Sequence, residues 1–222
     1  MPDDDAGPGR KVAHVVDDDA AVRRSLALLL RSAGFSVQVH ESGEAFLKAA
    51  ESAAPAGGLP FGCVLLDLRM PGMDGIAVQR EMAARGLGLP VVVVTAHGDV
   101  PLAVQAMRAG ASDFIEKPYG GEAIIQAAEA ALARGDEDRA RAREAAEAAA
   151  RVAALTAREA DVLRGLLAGR QNKVIARDLG ISPRTVEIHR ANLMDKLGVQ
   201  SLSEALRTAL AAGWAPPGEK RP

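Results

Sequence analysis

The chain has 222 residues, with 27 basic and 29 acidic side chains. The resulting net charge of −2 does not indicate nucleic acid or an anionic membrane as a partner of the chain as a whole. Its 48% hydrophobic and 25% charged residues are typical of a folded protein, and only 3% are aromatic, which argues against a base-stacking single-strand binder. A single cysteine excludes an intramolecular disulfide, no apolar run could span a bilayer, and the acidic start is unlike a secretory signal. We expect a soluble, cytoplasmic protein with no membrane partner.

The first 120 residues alternate short apolar runs with segments of helical periodicity. Strands are predicted, in chain order, at residues 12–16, 35–39, 63–66, 91–94 and 112–115. Helices are predicted to begin near Ala20, Ser42 and Gly121. The runs 63–66 and 91–94 are apolar at every position, which is typical of a parallel sheet covered on both faces. The pattern therefore predicts a doubly wound α/β domain with five parallel strands.

The rest of the chain reads as entirely helical. A long helix is predicted over residues 122–151, where Gly135-Asp136 is the one candidate for an interruption. Four short helices follow, with capping boxes at Thr156 and Ser201 and a Ser182-Pro183 start between them. Helix, helix, tight glycine turn and helix is the layout of a helix-turn-helix. The division predicted is a disordered tail (1–9), an α/β domain (10–134), a helical linker (135–151), an all-α four-helix domain (152–212) and a disordered tail (213–222).

Acidic and polar side chains follow four of the predicted strands, where a parallel α/β sheet binds its ligands. Asp17 and Asp18 follow the first strand, Asp67 the third, Thr95 the fourth and Lys117 the fifth. Crowded carboxylates need a cation, and oxygen ligands without His or Cys favour Mg²⁺. With Lys and Thr nearby, such a site could neutralise a transferring phosphoryl group, and Asp67 would be the nucleophile that forms an acyl phosphate.

Four separated motifs give the first part of the chain a family resemblance. Val16-Asp17-Asp18-Asp19, the segment from Leu66 to Gly75, Val94-Thr95-Ala96 and Glu116-Lys117-Pro118 resemble those of two-component response-regulator receivers, which have a flavodoxin-like fold. The resemblance implies Asp67 as phospho-acceptor, Asp17, Asp18 and the carbonyl of Arg69 as further metal ligands, and Thr95 and Lys117 as phosphoryl contacts. It also implies Phe114 as a switch residue that acts with Thr95, and a cis Lys117-Pro118 bond.

Three C-terminal motifs resemble those in the DNA-binding domain of LuxR/NarL-type regulators: Leu155-Thr-Ala-Arg-Glu159, Asn172-Lys-Val-Ile-Ala176 and the segment from Ile181 to Arg190. Together with Gly98-Asp99-Val100-Pro101 and the segment from Asp113 to Pro118, they make the whole chain most similar to the FixJ subgroup. Residues 152–222 carry a net charge of +4 against −4 for residues 1–120, which fits a partner that is a polyanion. A helix beginning at Ser182 would present its first turns to a major groove, where Glu187, Ile188 and Ala191 are candidate base readers. Backbone contacts are predicted for the remaining polar residues of this surface: Lys173, Ser182, Arg184, Thr185, Arg190 and Lys196.

The resulting hypothesis is a transcription regulator, not an enzyme, that is phosphorylated by a sensor histidine kinase, dimerises and binds double-stranded promoter DNA, with RNA polymerase as a candidate partner. One alternative is a constitutive DNA-binding regulator with a vestigial pocket, against which the intact set of five pocket residues counts. Another is a haloacid-dehalogenase-like phosphatase that uses Asp67. That class has a second acid two residues after its nucleophile, where this chain has Arg69.

Overall fold

The structure is a computed structural model that describes residues 11–53, 59–96 and 100–215. The predicted tail 1–9 and residues 216–222 of the predicted C-terminal tail lie outside this range. The chain divides into two compact units, residues 1–137 and 138–222. The two units are described in turn.

The first unit contains a five-stranded parallel sheet in the order β2-β1-β3-β4-β5. The strands are β1 (Val12–Val16), β2 (Ser36–His40), β3 (Gly62–Leu66), β4 (Val91–Thr95) and β5 (Asp113–Glu116). Each lies within one residue of its predicted bounds, and the predicted doubly wound α/β fold is confirmed. Because β1 lies between β2 and β3, the chain order reverses there, and the carboxyl ends of β1 and β3 are adjacent.

Helices cover both faces of this sheet. They are α1 (Ala20–Ser32), α2 (Gly43–Ala53), α3 (Gly75–Ala84), α4 (Val100–Arg108) and α5 (Gly121–Ala153). Buried residues of α1 and α5 pack on one face, and those of α2, α3 and α4 pack on the other. Two carboxylates fix where helices begin: Asp19 accepts from the backbone N–H of Ala21 at 2.6 Å, and Asp74 from that of Ala77 at 2.7 Å.

Helix α5 runs through Gly135 without the interruption that the sequence suggested at Gly135-Asp136. A Cβ at Gly135 would lie 2.9 Å from Cζ of Phe61 and 3.0 Å from Cγ of Pro90. The glycine is thus a place of close packing between the helix and its neighbours, and this packing outweighs its low helix propensity.

The second unit contains the predicted four short helices: α6 (Ala157–Leu167), α7 (Asn172–Leu179), α8 (Pro183–Leu197) and α9 (Leu202–Ala211). The capping box of Thr156 and Glu159 is complete, with Pro183 in the first turn of α8. The box predicted at Ser201 is only half formed, because the Glu204 carboxylate accepts from the backbone N–H of Gln200 instead. These local signals are why four separate helices form rather than one long one.

The core of the second unit is aliphatic and is shared among its helices. Leu163, Ile175, Val186, Leu193 and Leu197 are buried in one cluster. Val174 of α7 is half-buried and lies outside this cluster. The short α7 therefore contributes only some of its apolar side chains to this core.

Candidate functional site

Three carboxylates meet at the carboxyl end of the sheet in the first unit. One oxygen from each of Asp17, Asp18 and Asp67 lies within 4.8 Å of the others, and Asp17 and Asp67 are buried. Asp67 directly follows β3, and its backbone N–H donates to the carbonyl of Val16 on β1 at 2.9 Å. The adjacency of β1 and β3 is what brings together acids that are fifty residues apart in the chain.

A lysine and a threonine complete this acidic cluster, as the strand ends predicted. The ammonium of Lys117 lies 2.7 Å from Oδ2 of Asp17 and 3.8 Å from Oδ1 of Asp67. Thr95 is fully buried, and its hydrogen-bonding side chain lowers the pKa of the Asp67 carboxyl. The peptide bond between Lys117 and Pro118 is cis.

The surroundings of Asp67 disfavour the charged form of its carboxyl. Burial raises the pKa of the Asp67 carboxyl, with Lys117 lowering it and Asp17 raising it further, and the pKa remains above the ordinary value. Its Oδ1 atom is buried and has no hydrogen-bond partner among the described residues. Burial would lower the pKa of Lys117, but its hydrogen bond to Asp17 and the charge of Asp67 raise it.

An all-oxygen donor set with an unpartnered buried carboxylate oxygen fits a hard divalent cation. Such an ion would relieve the repulsion among Asp17, Asp18 and Asp67 and would occupy the unused bonding capacity of Asp67. The residues present therefore fit the metal that the sequence predicted.

The backbone that carries Asp17 is held by contacts that the sequence did not reveal. Arg23 donates from Nη1 to the carbonyl of Asp17 at 2.6 Å, and the backbone N–H of Asp19 donates to Oδ1 of Asp17 at 2.8 Å. Asp19, the third acid of the run, caps α1, and the backbone N–H groups of that helix lower its carboxyl pKa. The three consecutive acids thus differ in their surroundings: Asp17 is buried, Asp18 is exposed beside the other two acids of the cluster, and Asp19 caps a helix.

The predicted loop and switch residues flank the cluster. The side chain of Arg69 is exposed and lines, with Asp18 and Leu102, a cavity of about 650 Å³ beside the acids. Phe114 is half-buried against the core and pairs in register with Val93 of β4. Arg69 therefore borders the same cavity as Asp18, whereas Phe114 packs against the core from β5.

In the second unit, α8 presents one exposed face. Arg184, Glu187, Ile188 and Ala191 follow the i, i+3, i+4, i+7 spacing, and all four are exposed, Ile188 to 54%. Val186, Leu193 and Leu197 bury the opposite side of the same helix. The Ser182 hydroxyl caps the helix by accepting from the backbone N–H of Thr185 at 3.1 Å. The candidate base readers therefore share one solvent-facing surface.

Two cations of this surface are engaged within the unit. Arg190 donates to the amide oxygen of Asn172 at 2.9 Å. Lys196 donates at 2.7 Å to the buried carboxylate of Glu159, which also accepts from the backbone N–H of Thr156. Burial would raise the pKa of Glu159, but these hydrogen bonds lower it below its ordinary value.

Family models match both units of the chain. Residues 13–129 match the response regulator receiver domain, and residues 153–209 match the luxR family of bacterial regulatory proteins. The chain belongs to the response regulators. This response regulator is 49% identical over 211 residues to the transcriptional regulatory protein FixJ of Azorhizobium caulinodans, with 94% of this chain and 96% of that protein covered. It is 48% identical to FixJ of Bradyrhizobium diazoefficiens, with 90% and 95% covered.

Solved structures agree with this membership. The response regulator StyR is 41% identical, with a TM-score of 0.73 over 90% of this chain and 98% of that one. Full-length FixJ from B. japonicum is 47% identical, with a TM-score of 0.55 over 91% and 97%. Among the described residues of this response regulator, no helix combines the length and apolar character needed to cross a membrane.

Proposed function

We propose that this response regulator accepts a phosphoryl group on Asp67 from a sensor histidine kinase, dimerises and regulates transcription by binding promoter DNA. The observation that carries the proposal is the buried Asp67 carboxylate, whose Oδ1 is unpartnered while Lys117 and Thr95 stand beside it. An oxygen of Asp67 would attack the phosphorus of the donor, the P–N bond to the donor imidazole would break, and an acyl phosphate would form.

The residues around Asp67 would bind the metal ion and the phosphoryl oxygens. Asp17, Asp18, Asp67 and the carbonyl of Arg69 would hold Mg²⁺, which when bound supplies positive charge beside the phosphoryl oxygens. The Lys117 ammonium would leave its contact with Asp17 and bind a phosphoryl oxygen, and the Thr95 hydroxyl would donate to another. Both groups are already within reach of Asp67, so little rearrangement is needed.

The switch would run from the phosphoryl group to the surface made by α4 and β5. Thr95 would move toward the phosphoryl group, and the half-buried Phe114 would turn into the space that it leaves. On α4, Val100, Val104 and Met107 are exposed at i, i+4 and i+7, an apolar row that a second copy of the chain would cover.

The exposed face of α8 would enter the major groove of DNA. Glu187, Ile188 and Ala191 would read base edges, and the neighbouring polar residues would contact the backbone: Lys173, Ser182, Arg184, Thr185, Arg190 and Lys196. Arg190 and Lys196 would serve there only by sharing or releasing their contacts with Asn172 and Glu159.

Phosphorylation of the Asp67→Asn variant tests this proposal. Wild type incubated with acetyl phosphate and Mg²⁺ should gain one phosphoryl group by intact-mass measurement, double in mass by light scattering and bind promoter DNA more tightly in a gel shift. Asp67→Asn should do none of these while keeping its far-UV circular dichroism. Equal labelling of the variant would remove Asp67 as acceptor, and DNA binding unaffected by the phosphodonor would favour the constitutive regulator.

A further inference from the structure

The loop between β3 and α3, residues 68–74, is tied down at two points. At its base, the backbone N–H of Gly75 donates to the carbonyl of Leu68 at 3.0 Å. Two residues before Gly75, the backbone N–H of Met73 donates to Oε1 of Glu44 at 2.8 Å. Glu44 lies in the first turn of α2, 29 residues earlier in the chain. A side chain outside the acidic cluster therefore fixes the loop that leaves Asp67.

The Glu44 carboxylate is suited to holding a backbone donor. Its pKa is lowered by its own backbone N–H, by the side chain of Ser42 and by the N–H of Met73. The group is therefore ionised at neutral pH, and an ionised acceptor makes a stronger hydrogen bond than a neutral one.

Two glycines, Gly72 and Gly43, lie where a side chain would clash with this contact or with the residues around it. Gly72 has a φ of +78°, and a Cβ there would lie 2.7 Å from Oε1 of Glu44. A Cβ at Gly43 would clash with Cγ2 of Val78 and would lie 3.7 Å from Cβ of Met73. The first turn of α2 is thus closely packed on the loop and on α3, and the carboxylate occupies the space that a side chain at position 72 would need.

We propose that Glu44 is a positioning residue for the phosphorylation site, which acts by fixing residues 68–74 through the backbone N–H of Met73. This inference rests on the proposed function, in which the Arg69 carbonyl of this loop is a metal ligand. A loop held both at its base and at Met73 presents that carbonyl in one place, whereas a loop held only at its base must be ordered when the ion binds.

Four variants of the full chain separate the hydrogen bond from the charge. Glu44→Ala removes the acceptor, and Glu44→Asp keeps the charge but shortens the side chain by one methylene. Glu44→Gln loses the charge but keeps an oxygen that can accept from Met73. Glu51→Ala is the matched control, because Glu51 carries the same charge in the same helix and pairs with Arg85, which directly follows α3.

The first measurement is Mg²⁺ affinity by isothermal titration calorimetry. We expect Glu44→Ala and Glu44→Asp to bind Mg²⁺ about three- to tenfold more weakly than wild type, the low end for lost outer-shell partners because Glu44 is exposed. Glu44→Gln should recover most of the loss, and Glu51→Ala should match wild type. A loss in Glu44→Gln equal to that in Glu44→Ala, with Glu44→Asp near wild type, would mean that charge, not the hydrogen bond, is responsible, and would overturn the proposal.

The second measurement is amide hydrogen exchange at Met73 by NMR, which needs neither metal nor phosphodonor. We expect the exchange rate to rise about tenfold or more in Glu44→Ala and Glu44→Asp and to stay near wild type in Glu44→Gln. Unchanged exchange in all variants would overturn the inference. If wild type itself neither binds Mg²⁺ nor becomes phosphorylated, the proposed function fails instead, and the exchange data still decide whether Glu44 holds the loop.

Discussion

Asp67→Asn should make the first unit more stable in the absence of divalent cations, although it removes the group proposed to do the chemistry. At an effective dielectric constant of 20, two unit charges 4.8 Å apart repel by about 3.5 kcal/mol, and Asp67 faces both Asp17 and Asp18 within that distance. Lys117, at 3.8 Å, returns only about 4 kcal/mol of attraction. Solvent screens the exposed Asp18, so we expect a net gain of about 1–2 kcal/mol in the free energy of unfolding.

Differential scanning calorimetry of the full chain in EDTA would detect this gain. For a unit of this size it corresponds to a rise of about 3–8 °C in the midpoint of the transition that responds to Mg²⁺ in wild type. Adding Mg²⁺ should raise the wild-type midpoint toward that of the variant and move the variant much less, because binding to the folded state alone stabilises it. Glu116→Gln, the same charge change at an exposed position on β5, is the control and should have little effect.

The dependence on pH provides a second check. Because the pKa of Asp67 is raised in the folded state, the penalty is fully present above that pKa and is relieved as the pH falls through it. The advantage of Asp67→Asn should therefore shrink as the pH falls toward 4. A variant that is less stable than wild type in EDTA at pH 7, or an advantage that grows on acidification, would refute the electrostatic reasoning.

Three further outcomes are expected. Lys196→Gln should lower the free energy of unfolding of the second unit by about 1–2 kcal/mol, because the buried Glu159 carboxylate loses its cation. Urea unfolding followed by the fluorescence of Trp214, the only tryptophan, measures this loss. Burial and the charge of His14 lower the pKa of His40 to about 4. The free energy of unfolding should therefore fall as the pH drops from about 6.5 toward 4, because the unfolded chain takes up the proton first. In calorimetry, His40→Phe should reduce this loss of stability by about 1–2 kcal/mol. Lys173→Ala should weaken binding to all DNA sequences alike and reduce the salt slope by about one unit in gel shifts at several salt concentrations.

Each of these outcomes has a control or a contrary result. Lys173→Gln, exposed in the same unit, should leave the urea midpoint unchanged, and a Lys196 variant equal to wild type would mean that the ion pair adds no stability. Parallel pH profiles for wild type and His40→Phe would show that this imidazole does not limit acid stability. An unaltered salt slope would place Lys173 away from the phosphates.

The sheet and the acidic cluster were predictable because both follow from local pattern combined with one topological rule. Strands that are apolar at every position indicate their own bounds, and the carboxyl ends of parallel strands collect Asp17, Asp67 and Lys117. No periodicity indicates which distant side chains approach one another. The hydrogen bond from Met73 to Glu44 and the ion pair of Lys196 with its buried partner depend on how the helices pack, and so the sequence did not reveal them.

Gly135 is another position where the local sequence did not reveal the effect of tertiary packing. Read locally, a glycine in a run of Ala, Arg and Glu indicates a possible end of a helix. In the structure the helix continues, because a missing side chain is what lets it approach Phe61 and Pro90. Local propensity and tertiary packing make opposite demands at this position, and packing decides.

The lone thiol of this chain has a practical consequence for spectroscopy. Cys63 lies on the central strand β3, is fully buried, and burial raises its pKa to about 12. The thiolate is the form that reacts with maleimide and methanethiosulfonate reagents, so the native residue should stay unlabelled in ordinary buffers. A spin label or dye could therefore be attached to a single introduced cysteine in each unit without removing Cys63, and the distance between the two labels could be followed before and after addition of a phosphodonor.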